Sequence, residues 1–291
     1  MFSFFHKFQT KDSNKNRSPI IPVWTITVYT VLILFAVIAG FPLFFIASLS
    51  LQSFKEVSRF PPTIVPHSLR FINYVTLFAK GPFHRYILNS FIFAGTLTIS
   101  HIFLSTLAGY ILAKFDFPFK HVITVFVLST MLFPANLRAI PLYTLVVKLG
   151  LVNSYAGLII PFLTGGFTIF IMRQYILSIP TELIEAARAD GASEFGIFLG
   201  IIFPLAKPAL TVLAIFQFTL RWNMLLWPLI VARGDLMTLP VVVAQLKGTT
   251  ERFAYWNLIG AGSMLLLLPT FVLFLLLQRY IIKGTQGAIK F

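Results

Sequence analysis

Long runs free of Lys, Arg, Asp and Glu alternate along this chain with short polar segments, and the runs predict its architecture. A segment of roughly 20 apolar residues crosses the ~30 Å hydrocarbon layer as a helix. Residues 20–54 carry no charge, and their centre, 23–49, reads as the first span. Residues 86–113, 121–137 and 149–172 supply the second, third and fourth. Residues 208–232, interrupted only by Arg221, make the fifth, and 253–278 the sixth. The pattern predicts an all-α integral membrane protein with six transmembrane helices over 23–281.

Two polar segments between spans are long. In 50–85, Phe71, Tyr74, Val75 and Phe78 recur at helical spacing after a proline-rich stretch, which predicts an interfacial helix on the outer face. Whether it meets a partner or only caps the bundle is open on this pattern. The second, 173–207, lies on the same side as the N-terminus if six spans are counted.

Composition agrees with the membrane class: 57% of residues are apolar, 11% are charged, and the mean hydropathy is +0.87. The net charge of +14 raises nucleic acid as a partner, but the basic residues are dispersed between apolar runs and form no stripe, so no nucleic acid is expected. The absence of cysteine excludes disulfides and thiolate chemistry. No catalytic constellation or metal site stands out, and no enzyme activity is expected. Residues 1–22 lack a continuous apolar core and read as a basic tail rather than a cleaved signal. That tail precedes the first span, and Lys and Arg are slightly more numerous on its side, so both termini, 1–22 and 282–291, are expected in the cytoplasm.

Four of the nine acidic residues, Glu182, Glu185, Asp190 and Glu194, fall in the segment 173–207. Pro180 fits the first position of a helix, followed by good helix formers to Ala189. Glu185 and Arg188 can pair across one turn. Asp190-Gly191 breaks the helix, and Ser193 caps a second one whose apolar face is Phe195, Phe198, Leu199 and Ile202. Pro204 and Pro208 bend the chain into the fifth span. The charges alone fit a partner-gripping element and an idle solvated linker equally well.

The stretch "EAARADGASEFGIFLGIIFP" resembles the EAA loop of permease subunits in bacterial ABC importers, with Glu185, Ala186, Ala187, Gly191, Ile201 and Pro204 in register and Phe203 where Leu is usual. "FINYVTLF", "IPLYTLVVKLGLVNSYAGLIIPF" and "WNMLLWPLIV" are similar to carbohydrate-importer permeases related to the smaller membrane subunit of the maltose transporter. The ending "QRYIIKGTQGAIKF" is similar to that family's tail but shorter after Gly284. The resemblance implies the type I ABC importer permease fold in a bacterial inner membrane. It implies that Glu185, Ala186, Ala187, Asp190, Gly191, Ala192, Phe195 and Pro204 meet a cytoplasmic ATPase. The partners it implies are a second homologous permease, two ATP-binding subunits and an extracytoplasmic solute-binding protein docking on 50–85 and 233–252. ATP and Mg would sit on the ATPases, and this chain indeed has no G-x-x-x-x-G-K-[ST] phosphate loop.

Gly95, Ser105 and Gly109 in the second span permit close helix contact, within the chain or with a partner. The rival reading is an ion-coupled secondary transporter, which would need ionisable residues at the midplane. The six predicted spans hold no acid, leaving His101 as the carrier candidate. A membrane scaffold or sensor subunit is a further alternative. For the substrate pathway, Arg221 stands near the middle of the fifth span beside Trp222, Asn223 and Trp227. Aromatic rings stack on sugar faces and Asn bonds hydroxyls. Arg221, with Arg138 adding to the field, suits an acidic solute such as a uronate or a phosphorylated polyol; a structural bond to a partner subunit is the competing role.

Overall fold

A computed structural model describes residues 23–61, 63–134, 137–246 and 255–287. The expected tails over 1–22 and 288–291, and the part of the outer segment at 247–252, lie outside the described residues. Among the described residues, 23–45 fall in one unit and 46–287 in another.

Helix α1, Val23–Leu51, begins in the first unit. None of its side chains over 24–45 is buried, although nearly all are apolar. A helix apolar on every side is suited to lipid rather than to a water-facing surface.

The second unit opens with the end of α1 and a tightly bonded connection. Ser53 caps the short α2, Phe54–Val57, in a reciprocal box with Glu56. Helix α3, Ile72–Ala79, occupies the region where an interfacial helix is expected. Its buried residues are Asn73 and Leu77, while Phe71, Val75 and Phe78 are exposed. The amide of Asn73 explains the choice of face: Nδ2 donates to the carbonyls of Ser50 and Gln52, both at 2.8 Å, and Oδ1 accepts from Asn257 at 2.9 Å. A buried amide needs such partners, so the polar position turns inward and Phe71, Val75 and Phe78 turn out, while Tyr74 is half-buried and its hydroxyl donates to Ser50 Oγ at 3.0 Å.

Helix α4, Phe83–Lys114, is the axis of the unit. The third predicted span is helical only over α5, Lys120–Ser129, about 15 Å at 1.5 Å per residue. Helix α6, Ala139–Lys148, follows. The fourth span is broken. Helix α7, Tyr155–Ile159, and a single 3-10 turn meet α8, Gly166–Leu177, at 44°. Gly165-Gly166 sits at that break, where a Cβ on Gly166 would lie 2.4 Å from Thr130 Oγ1 and 2.5 Å from the Val127 carbonyl. Helices α4 and α8 are also close: a Cβ on Gly109 would be 2.9 Å from the Arg173 backbone nitrogen. Gly109 and Ser105 therefore serve packing within this chain, and Gly95 faces open space.

Two short helices, α9 (Thr181–Ala189) and α10 (Glu194–Ile197), form the expected pair in 173–207. A π-helical turn, Phe198–Ile202, and α11, Phe203–Leu205, continue α10. The chain then bends by 78° at Ala206 into α12, Lys207–Trp222. Pro204 and Pro208 flank the bend, as the sequence predicts. Helix α13, Leu226–Val231, a 3-10 turn and α14, Leu239–Gln245, lead to α15, Trp256–Gly287. Gly284 lies within α15. Among the described residues, three helices are long and apolar enough to cross a membrane, or five if each bent pair is one span.

Candidate functional site

Two places concentrate chemistry, one at the α9–α10 pair and one between α4, α8 and α12.

The pair is bedded firmly. Ile184, Ile197, Phe198 and Ile202 are fully or almost fully buried in one cluster with Tyr110, Met172 and Ile176. Pro180 stands just before the first helical residue, and Lys114 Nζ bonds the Ile179 carbonyl (2.6 Å) and Thr181 Oγ1 (3.0 Å) at that start. At the other end, the amides of Gly191 and Ala192 bond the carbonyls of Arg188 (3.0 Å) and Ala187 (2.9 Å). Gly191 has φ +83°, the left-handed conformation this closure needs. Ser193 Oγ then accepts from the Gly196 amide and caps α10.

Arg188 does not pair with Glu185. Its Nε bonds Glu194 Oε1 at 2.5 Å, and Glu194 Oε2 also accepts from the Tyr110 hydroxyl at 3.0 Å. The turn at Gly191 folds Glu194 back over the last turn of α9, a closer site than the helix surface offers. The predicted apolar face also shifts. Ile197, Phe198 and Ile202 are buried, whereas Phe195 is 55% exposed and Leu199 46%. The π turn widens the helical period, so inward positions recur at intervals of four and five residues. The outer surface left bare carries Glu182, Glu185, Ala186, Asp190, Ala192 and Phe195, with Leu183 among them.

The second place is a cavity of 580 Å³ lined by His101, Thr168, Gln217, Arg221, Trp227, Arg138 and neighbouring aromatic and aliphatic side chains. Arg221 is in the last turn of α12, because the predicted fifth span is broken: the helix ends at Trp222 and restarts at Leu226. A cation at a helix C-terminus meets the negative end of the backbone dipole. The guanidinium carbon lies 5.3 Å from the Phe162 ring centre, in cation–π range. Gln217 Nε2 donates to Thr168 Oγ1 (2.8 Å), whose own proton serves His101 Nδ1 (3.3 Å). That order assigns the His101 proton to Nε2, which donates to the Phe162 carbonyl at 2.7 Å. Arg221 Nη2, 3.1 Å from His101 Nε2, therefore meets a second donor. Arg221 is 8% exposed, and its Nε and the Gln217 Oε1 have no partner.

Of the residues singled out for the substrate pathway, the structure gathers Arg138, Arg221 and Trp227 around this cavity. Trp222 is elsewhere: its ring packs 4.6 Å from Phe91, and its Nε1 bonds the Leu266 carbonyl at 2.9 Å. Asn223 is exposed and bonds its own helix at Thr219. Successive helical residues point ~100° apart, so chain neighbours of Arg221 leave its face. The partners missed by sequence reading are Gln217, Thr168 and Phe162. Gln217 was findable, since a polar residue four before Arg221 shares its face.

Helices clothed in apolar side chains, a cavity between them that holds a buried arginine, and a capped helix pair make up an integral membrane transport subunit. The chain belongs to the family of binding-protein-dependent transport system inner membrane components, which it matches over residues 105–286. It is 35% identical over 278 residues to the arabinooligosaccharides transport system permease protein AraQ of Bacillus subtilis, covering 94% of this chain and 98% of the relative. It is 34% identical to the sn-glycerol-3-phosphate transport system permease protein UgpE of Escherichia coli, covering 92% and 98%. A chain in the crystal structure of a bacterial ABC transporter that imports the acidic polysaccharide alginate has the same fold, with TM-score 0.78 and 23% identity over 92% of this chain and 99% of that one. The fold is the type I importer permease fold.

Proposed function

We propose that this chain is one of two permeases in an ATP-driven, binding-protein-dependent importer of a carbohydrate or related solute, and that α9 and α10 couple it to a separate ATPase. The observation that carries this reading is the double character of the pair. It is fixed to the bundle through Ile184, Ile197 and Phe198, yet presents Glu185, Ala186, Asp190, Ala192 and Phe195 bare. An idle linker has no need of a rigid bed, and a lipid-facing element would not carry acids. The carbohydrate class rests on the relatives named above.

In this reading, ATP closure of the ATPases displaces the docked pair, and the bundle follows as a rigid body. The ATPases supply ATP and Mg sites; an outer binding protein supplies the solute; the termini lie in the cytoplasm of a bacterial cell. ATP can shift the bundle only if one bundle state holds the closed ATPases better than the other. Glu185→Lys and Gly191→Pro are expected to leave the chain inserted in the membrane and to abolish ATP-driven uptake, measured in proteoliposomes of the whole complex. Normal uptake by either variant would refute the coupling role, and uptake driven by an ion gradient without nucleotide would favour a secondary carrier.

A further inference from the structure

We propose that the cavity at Arg221 takes an anionic, hydroxylated solute, holding its carboxylate or phosphate on the Arg221 guanidinium. This rests on the reading of the chain as a solute permease and narrows the solute class.

Arg221 is more than nine-tenths buried, lines the cavity and leaves Nε without an acceptor. A guanidinium stays charged in proteins, so a buried one calls for a negative group. The cavity offers none of its own: its charged lining residues are Arg221 and Arg138, and His101 turns a donor towards the guanidinium. Among the described residues, the acids at 56, 116, 182, 185, 190, 194 and 235 all stand outside that lining.

Two sources could bring the negative charge, a carboxylate of a neighbouring subunit or the solute. The cavity decides between them: a guanidinium serving only a subunit contact needs no open space beside it, whereas Arg221 lines one. The volume, 580 Å³, falls within the roughly 300–1,000 Å³ of small-molecule sites, and the Phe162 and Trp227 rings beside it suit the apolar faces of a sugar.

The test uses the whole transporter, with its own ATPase, second permease and binding protein, in proteoliposomes. It is offered matched probes: galactose and galacturonate oligomers, and glycerol and sn-glycerol 3-phosphate. ATP-driven uptake should favour an anionic member, the galacturonate arm reporting a carboxylate and the phosphate arm a phosphate. Per mole of assembled complex, Arg221→Gln should lower the anionic-to-neutral uptake ratio at least about tenfold. Uptake confined to neutral probes overturns the proposal and leaves the permease reading standing. So does an Arg221→Gln variant that loses the second permease on purification while the complex still recovered keeps its uptake ratio, since the cation then serves a subunit contact. A complex whose ATP hydrolysis drives no uptake and ignores the binding protein fails at the permease reading itself.

Discussion

Gly109 shows how much one side chain can decide where helices touch. Its missing Cβ leaves room for the Arg173 backbone nitrogen, against which a methyl group would stand at 2.9 Å. Gly109→Ala is therefore expected to destabilise the detergent-solubilised chain by about 1–3 kcal/mol, read from thermal unfolding. Gly95→Ala meets nothing within 4 Å and should hold or gain stability as helix propensity improves. Glu56 illustrates a charge fixed by neighbours. The Ser53 hydroxyl and amide, then the His67 amide, hold its carboxyl down from 4.5 to about 2. A depressed carboxyl pKa stabilises the fold above the unfolded value and loses that effect as pH falls through the folded one. Exchange protection of the His67 amide, corrected for intrinsic rate, should thus decline between pH 4.5 and 2, and Glu56→Gln should remove the pH dependence. At this scale the sequence exposes residues whose partners are near in the chain, such as Ser193 and Gly191. It hides Tyr110 behind Glu194 and Thr168 behind Gln217, because those pairs meet only after helices pack.

Among the elements, the breaks matter as much as the helices. Counting uncharged residues locates α1 and α4 within a few positions and the start of α15 likewise, since each holds one unbroken apolar run; α15 itself continues nine residues past the predicted end at 278. It merged α7 with α8 and α12 with α13, because hydropathy records apolar content and is blind to a lost hydrogen bond or a close approach at glycine. The loop gave the opposite case: glycine, serine and proline fix its turn, caps and bend locally, so the pair was legible in outline. The register of its apolar face was not, for nothing in the letters announces a π turn. Pro204 cannot donate the bond an α turn would ask of it, and the bend at Ala206 follows within two residues. Pro204→Ala restores that donor and should let the segment straighten. Uptake is expected to fall several-fold while ATP hydrolysis continues, measured together in the reconstituted complex.

For the whole molecule, composition alone announced a membrane protein, and the resemblance of the loop implied a separate ATPase as its energy source. The cavity could not be read from the letters, because it is assembled from α4, α8, α12 and α13, whose residues lie far apart in the chain. One joint between these regions has a mechanical meaning. Lys114 holds the start of α9 and Tyr110 holds Glu194 at the start of α10. Both anchors sit on α4, one turn apart, and the same unbroken helix carries His101 nine residues before Tyr110, roughly 14 Å at 1.5 Å per residue. In the coupling role proposed for the pair, its displacement can reach the Arg221 cavity along α4 as along a push-rod, whereas the route through α12 must first turn a 78° corner.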